Sequence, residues 1–144
     1  MIVRFNDVAV LGLGKVGLLA AAFLHEAGCE VTGYDLRVPT RPTMFPTEKI
    51  DVTDCDAIAS ALQGKGAVLS CLPYHLNRTI ATIAHRCGVH YFDLTEDVHT
   101  TRAVTELAPT ASALMAPQCG LAPGFISIVA ASEIAGFDLS LIHI

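Results

Sequence analysis

Gly12, Gly14 and Gly17 form a G-x-G-x-x-G loop in the run Gly12-Leu13-Gly14-Lys15-Val16-Gly17. Each glycine suits one step in cradling a pyrophosphate. Gly12 allows a tight turn out of a strand, Gly14 lets a phosphate approach the backbone, and Gly17 lets the following helix sit close to that strand. A helix opening at this loop offers unpaired N–H groups and a partial positive charge to an anion. Asp35 follows at the spacing of about 20 residues that a ribose-binding acid takes, at the end of the run Glu30-Val31-Thr32-Gly33-Tyr34. Its carboxylate could accept hydrogen bonds from adenine-ribose hydroxyls. The loop alone is weak evidence. Placed between an apolar run and a helical stretch, with the acid behind it, it points to a nicotinamide dinucleotide.

The other chemistry-bearing residues are dispersed. Cys29, Cys55, Cys71, Cys87 and Cys119 include no C-x-x-C pair. Most lie in or beside apolar segments, so reduced, buried thiols are expected rather than a disulfide framework or a zinc site. The six histidines form no H-x-x-x-H pair and no cluster with carboxylates, and no metal is expected. Nine Lys and Arg residues are scattered through a chain of net charge −5. With no basic stripe to meet a phosphate backbone, nucleic acid is not an expected partner.

These residues must be positioned by the rest of a 144-residue chain that is 52% hydrophobic and 16% charged, one domain's worth with enough apolar residues for a core. No apolar run approaches the roughly 20 residues needed to span a bilayer, and the first residues carry no basic segment before a long apolar block. A cytoplasmic protein with no membrane partner is the expectation.

Strands and helices alternate. Strands are predicted over residues 7–11, 30–35, 48–52, 67–72, 89–93 and 114–116, with helices over 15–27, about 54–62, 76–86 and 97–107 and a last one starting near Pro123. Such alternation implies a mostly parallel sheet covered on both faces. The glycine loop after the first strand specifies an α/β, doubly wound parallel sheet of the Rossmann NAD(P)-binding type, strand order 3-2-1-4-5-6. Ligands of such sheets sit beyond the carboxyl ends of the strands. Residues 36–47 depart from the pattern, because Pro39, Pro42 and Pro46 forbid a regular crossover helix there. That segment carries Arg37 and Arg41, either of which could meet a 2′-phosphate, whereas Asp35 would repel one. NAD is favoured, with NADP left open.

In this order, several blocks resemble the saccharopine dehydrogenase-like family over nearly all of residues 6–138. They are the glycine loop, Ile50-Asp51-Val52-Thr53-Asp54, Val68-Leu69-Ser70-Cys71-Leu72-Pro73-Tyr74, His90-Tyr91-Phe92-Asp93-Leu94-Thr95-Glu96 and Cys119-Gly120-Leu121-Ala122-Pro123-Gly124-Phe125. The last block is the most specific. The resemblance implies an N-terminal dinucleotide domain and a further substrate domain, in enzymes that move a hydride between NAD(P) and a C–N bond of an amino acid or polyamine. Lysine 6-dehydrogenases, saccharopine reductases and carboxynorspermidine dehydrogenases are examples. Carried onto this chain, it puts Gly12, Gly14, Lys15, Val16 and Gly17 at the pyrophosphate, Asp35 at the adenine ribose, Asp51 and Val52 by the adenine, and Cys71, Leu72 and Pro73 along the nicotinamide half, with residues 120–124 leading toward the substrate side.

Amine oxidation calls for a general base. Tyr74, His75 and Asp93 fall at strand carboxyl ends, but each also has a plain packing, surface or capping role open to it, and no catalytic residue is assigned. Residues 139–144 match a one-frame translation of a common sequencing adapter, so a non-native tail and a dinucleotide domain over 1–138, cut before its substrate domain, are expected. Substrate and reaction direction are not legible, and a homodimer of the longer protein is left open. Two other readings remain: a nucleotide-sensing regulatory module without chemistry, and a dehydrogenase of another family on the same scaffold.

Overall fold

The computed structural model describes residues 6–135. Its strands are β1 (Asp7–Leu11), β2 (Glu30–Asp35), β3 (Thr47–Lys49), β4 (Ala67–Ser70), β5 (His90–Asp93) and β6 (Met115–Ala116). Its helices are α1 (Lys15–Glu26), α2 (Cys55–Leu62), α3 (Tyr74–Cys87), α4 (Val98–Leu107) and α5 (Phe125–Ile134). The six strands form one parallel sheet in the order β3-β2-β1-β4-β5-β6. Register brings Leu11 opposite Tyr34 and Ser70, and Ser70 opposite Asp93. The carboxyl ends of four strands therefore finish in one row.

Period-two alternation sorts the strand side chains into two apolar layers. Ala9, Leu11, Val68 and Tyr91 turn to one face and pack with Ile58, Leu62, Ile80, Ala84 and Val104 of α2, α3 and α4. Val8, Val10, Val31 and Ala67 turn to the other and pack with Ala21 of α1 and with Phe45. Phe45 stands where a crossover helix would otherwise cover the sheet. The segment after β2 is irregular, as its prolines require, and still delivers one buried ring. Gly33 makes room for it: a Cβ there would meet Leu13 Cδ2 at 2.8 Å and Phe45 Cε2 at 3.1 Å.

The third strand is shorter than the predicted 48–52. Pairing ends with Ile50 N–H donating to Asp35 O at 3.0 Å. Asp51 Oδ1 then accepts from Thr53 N–H at 2.9 Å and Thr53 Oγ1 at 2.7 Å, which turns the chain into α2. Asp54 caps that helix, its Oδ1 accepting from Asp56 and Ala57 N–H. The fourth strand stops at Ser70 rather than residue 72, and α3 starts earlier than predicted, at Tyr74 behind Pro73.

The cysteines correct the expectation of buried thiols. All five are free, but Cys55, Cys87 and Cys119 are exposed and Cys29 and Cys71 only half-buried. Apolar neighbours in sequence misled here, because Cys55 and Cys87 are the end residues of helices and Cys119 lies in a loop. Every residue of α5 is exposed, Ile126, Ile128 and Ile134 included. The suspected tail, 139–144, lies outside the described residues.

Candidate functional site

The glycine loop leaves β1 and enters α1 at the centre of the sheet. Gly12 has φ +90°, a conformation open mainly to glycine, and its N–H donates to Tyr34 O at 2.8 Å. At Gly17 a Cβ would lie 1.8 Å from Gly12 O, so only a glycine lets α1 start this close to the strand it has just left. At Gly14 a Cβ would meet nothing within 4 Å. The space over Gly14 is open to a ligand rather than filled by protein. No side chain caps α1, whereas Asp54 and Asp97 cap α2 and α4. The first N–H groups of α1 are thus left to solvent or to an anion.

Asp35 is drawn to this loop. Leu13 N–H donates to its Oδ2 at 2.6 Å and Arg37 N–H to its Oδ1 at 2.9 Å. Each oxygen keeps lone-pair capacity after these bonds, so the half-buried carboxylate can still accept from hydroxyl groups. The side chains of Arg37 and Arg41 are exposed. Asp51 is exposed with one oxygen tied to Thr53, and Val52 packs against the core, both at the carboxyl end of β3 on the far side of Asp35. Lys15 and Val16 are exposed at the start of α1.

On the other side of the loop a hollow of about 600 Å³ opens between the carboxyl ends of β1, β4 and β5. Val16, Cys71, Leu72 and Tyr74 line it together with residues 94–97. Leu72 Cδ2 and Cys71 O approach the place of a Cβ on Gly12 to 2.9 and 3.1 Å, so the β4 exit is wedged against the glycine loop. Pro73, exposed, occupies the N-cap position of α3. The predicted set is thereby brought to one edge in sequence from Asp51 through Asp35 and the loop to Cys71 and Leu72. Leu94 and Thr95, directly after β5, fall at a strand carboxyl end, where a ligand was expected. Glu96 and Asp97, just past that end, were not foreseen as lining residues.

Of the three candidate bases, Tyr74 lines the hollow and is exposed, in edge contact with His75 at 5.9 Å between ring centroids. Asp93 is fully buried with both oxygens bonded and faces no ligand space. A larger hollow of about 920 Å³ sits at the opposite edge, beside Asp7, Gly64, Gly66 and His90. It lies where strands begin, with no glycine loop or helix N-terminus aimed at it. Among the described residues no group of His, Cys, Asp and Glu could hold a metal ion, and no helix is long and apolar enough to cross a membrane.

Burial pushes the Cys71 thiol up to about 11. At pH 8 only about one molecule in a thousand would then carry the reactive thiolate. Cys71 should therefore be alkylated by iodoacetamide well after the exposed Cys55 and Cys87, and its rate should climb as pH approaches 11. Peptide mass spectrometry over a time course checks this; equal rates for Cys71 and Cys55 would contradict the burial.

An open glycine turn, an uncapped helix start and an acid at the end of the second strand define a dinucleotide-binding domain of the doubly wound, Rossmann type. More particularly, the chain belongs to the saccharopine dehydrogenase NADP binding domain family, whose sequence model matches residues 8–117. Among solved structures, it is similar to a saccharopine dehydrogenase (L-Glu forming) from Saccharomyces cerevisiae, with 23% identity over 90% of this chain and a TM-score of 0.75. The chain spans 31% of that protein's length. A Rossmann-fold NAD(P)-binding family protein from Shigella flexneri matches 78% of this chain and 65% of its own at 17% identity, TM-score 0.57. A uronate dehydrogenase from Agrobacterium tumefaciens complexed with NAD matches 64% of this chain and 41% of its own at 13% identity, TM-score 0.52. At these identities the structures establish the fold alone.

Proposed function

We propose that this chain is the cofactor-binding part of a cytoplasmic oxidoreductase that acts on a C–N bond of an amino acid or polyamine. The observation that carries the reading is the uncapped, open start of α1 with Asp35 fastened beside it. Lys15, Val16 and Gly17 would present their N–H groups to the pyrophosphate, and Asp35 would accept from the adenine ribose. Asp51 and Val52 would flank the adenine, and Cys71, Leu72 and Pro73 the nicotinamide half. A bound nicotinamide supplies hydride transfer; the chain's own residues bind it, orient it and exclude water from one side.

The C–N substrate class rests on family membership, and its contacts would lie in a further domain beyond this one. Two observations support that arrangement. The saccharopine dehydrogenase it resembles is about three times as long, and α5 turns its apolar residues to solvent.

NAD is the preferred cofactor in this reading. A 2′-phosphate would stand against the Asp35 carboxylate, while the exposed Arg37 and Arg41 side chains offer only screened compensation. Asp35→Ala should weaken NADH about ten- to hundredfold, the size of losing hydrogen bonds to a charged acceptor. It should also narrow the gap between NADH and NADPH. Fluorescence titration of both nucleotides, with thermal unfolding to confirm folding, decides. Tenfold tighter NADPH binding by the unaltered chain would reject the NAD preference.

A further inference from the structure

Asp93 ends β5 and is fully buried. A carboxylate so far from water is costly unless hydrogen bonds replace its hydration. Oδ2 accepts from Tyr91 Oη at 2.8 Å, and Oδ1 accepts from Thr95 N–H at 3.0 Å and Gln118 N–H at 3.1 Å. Its backbone carbonyl accepts from Cys119 N–H at 2.7 Å. One residue thus ties the loop after β5 to the loop after β6.

Both loops depend on the tie. Gln118 sits at φ +65°, a left-handed conformation that a non-glycine residue keeps only when its surroundings hold it there. Two residues on, a Cβ at Gly120 would approach Leu94 O to 3.3 Å, so the second loop leans on the first. Within the first loop, Thr95 Oγ1 accepts from Asp97 N–H at 3.2 Å, and Asp97 in turn caps α4 by accepting from Thr100 N–H at 2.7 Å. Leu94 and Glu96, on the wall of the 600 Å³ hollow, therefore hang from Asp93. Burial, with the Asp93 charge adding to it, also raises the Tyr91 phenol above its ordinary range, so this group stays a donor at working pH.

We infer that Asp93 is a positioning residue for the nicotinamide end of the site: it sets the wall formed by residues 94–97 without touching the ligand. The inference rests on the dinucleotide reading above. It separates the two halves of the cofactor, because the adenosine half lies across β2 and β3, away from this tie.

The test measures binding of NADH and of AMP, which carries the adenosine half only, to the whole chain and to Asp93→Ala and Asp93→Asn. Asp93→Ala should weaken NADH about tenfold while AMP stays within about twofold. Asp93→Asn keeps an oxygen for the Thr95 and Gln118 amides and should restore NADH to within about threefold. Equal losses of NADH and AMP in Asp93→Ala, or no loss, overturn the inference while leaving the dinucleotide reading intact. An unaltered chain that binds neither nucleotide overturns both. Should Asp93→Ala fail to fold, amide exchange in the unaltered chain decides. The Thr95 and Gln118 amides should exchange at least about a hundredfold slower than in unfolded chain, and free exchange at either overturns the inference.

Discussion

Gly14→Ala should leave the protein folded and cost most of its nucleotide binding. The new Cβ meets nothing within 4 Å in the free protein, and the backbone at φ −67° suits alanine. An alanine is a poorer helix cap than a glycine, so stability should fall by no more than about 1 kcal/mol. The added methyl stands in the space a pyrophosphate needs in order to reach the first N–H groups of α1. Displaced phosphate loses charge-assisted hydrogen bonds worth about 1.5–3 kcal/mol each, so NADH affinity should fall on the order of a hundredfold. Calorimetric titration beside a thermal melt reads both quantities. Unchanged affinity in a folded Gly14→Ala protein would mean that the pyrophosphate does not lie over this glycine.

Gly17→Ala should do the reverse and strike the fold first. Its Cβ would sit 1.8 Å from Gly12 O, a backbone atom that cannot swing aside as a side chain can. Either α1 lifts from β1 or the Gly12 turn opens, and either move disturbs Ala21 in the core behind it. Overpacking of this kind costs about 3 kcal/mol at its upper end, which for a domain of this size lowers the melting temperature by roughly 10 °C. Nucleotide binding should fall as well, since the loop that would grip the phosphate has moved. A Gly17→Ala protein that melts with the parent would show that α1 is not seated on the loop in this way.

These two glycines also show what could be read in the sequence. Their spacing announced the turn, and the short apolar run Val8-Ala9-Val10-Leu11 announced the strand before it. The order of the six strands followed from that pair of signals. What stayed hidden depended on long-range contacts. The end of β3 is the local exception: the Asp51-Val52-Thr53 spacing allows the turn that shortens the strand, and the reading of 48–52 as a strand passed over it. Phe45 could be read only as part of a proline-rich loop, because the gap it fills belongs to Gly33 and Leu13. The cysteines were misplaced for the same reason: an apolar neighbour in sequence says little about which side of a helix end faces water.

The site was legible where it follows the backbone and obscure where it depends on side-chain partners. Gly12, Gly14, Gly17 and Asp35 are marked by spacing alone. Asp93 was read as a candidate base or cap, and only the amides of Thr95 and Gln118, one of them 25 positions away, reveal it as a buried tie. The wall residues Leu94 and Glu96 lie in the run His90–Glu96 that carries the family resemblance, but only that tie shows what holds them.

The most direct test of a dinucleotide at the carboxyl edge is a titration of the isotope-labelled chain with NADH, followed by the backbone amide shifts. The largest shifts should fall on Gly14, Lys15, Val16 and Gly17, with further shifts at Asp35, Arg37, Cys71 and Leu72. Gly64, Gly66 and Gly88, beside the hollow at the opposite edge, should stay in place. Saturable shifts at those three glycines with a silent Gly14–Gly17 turn would contradict the assignment and move the ligand to the other end of the sheet.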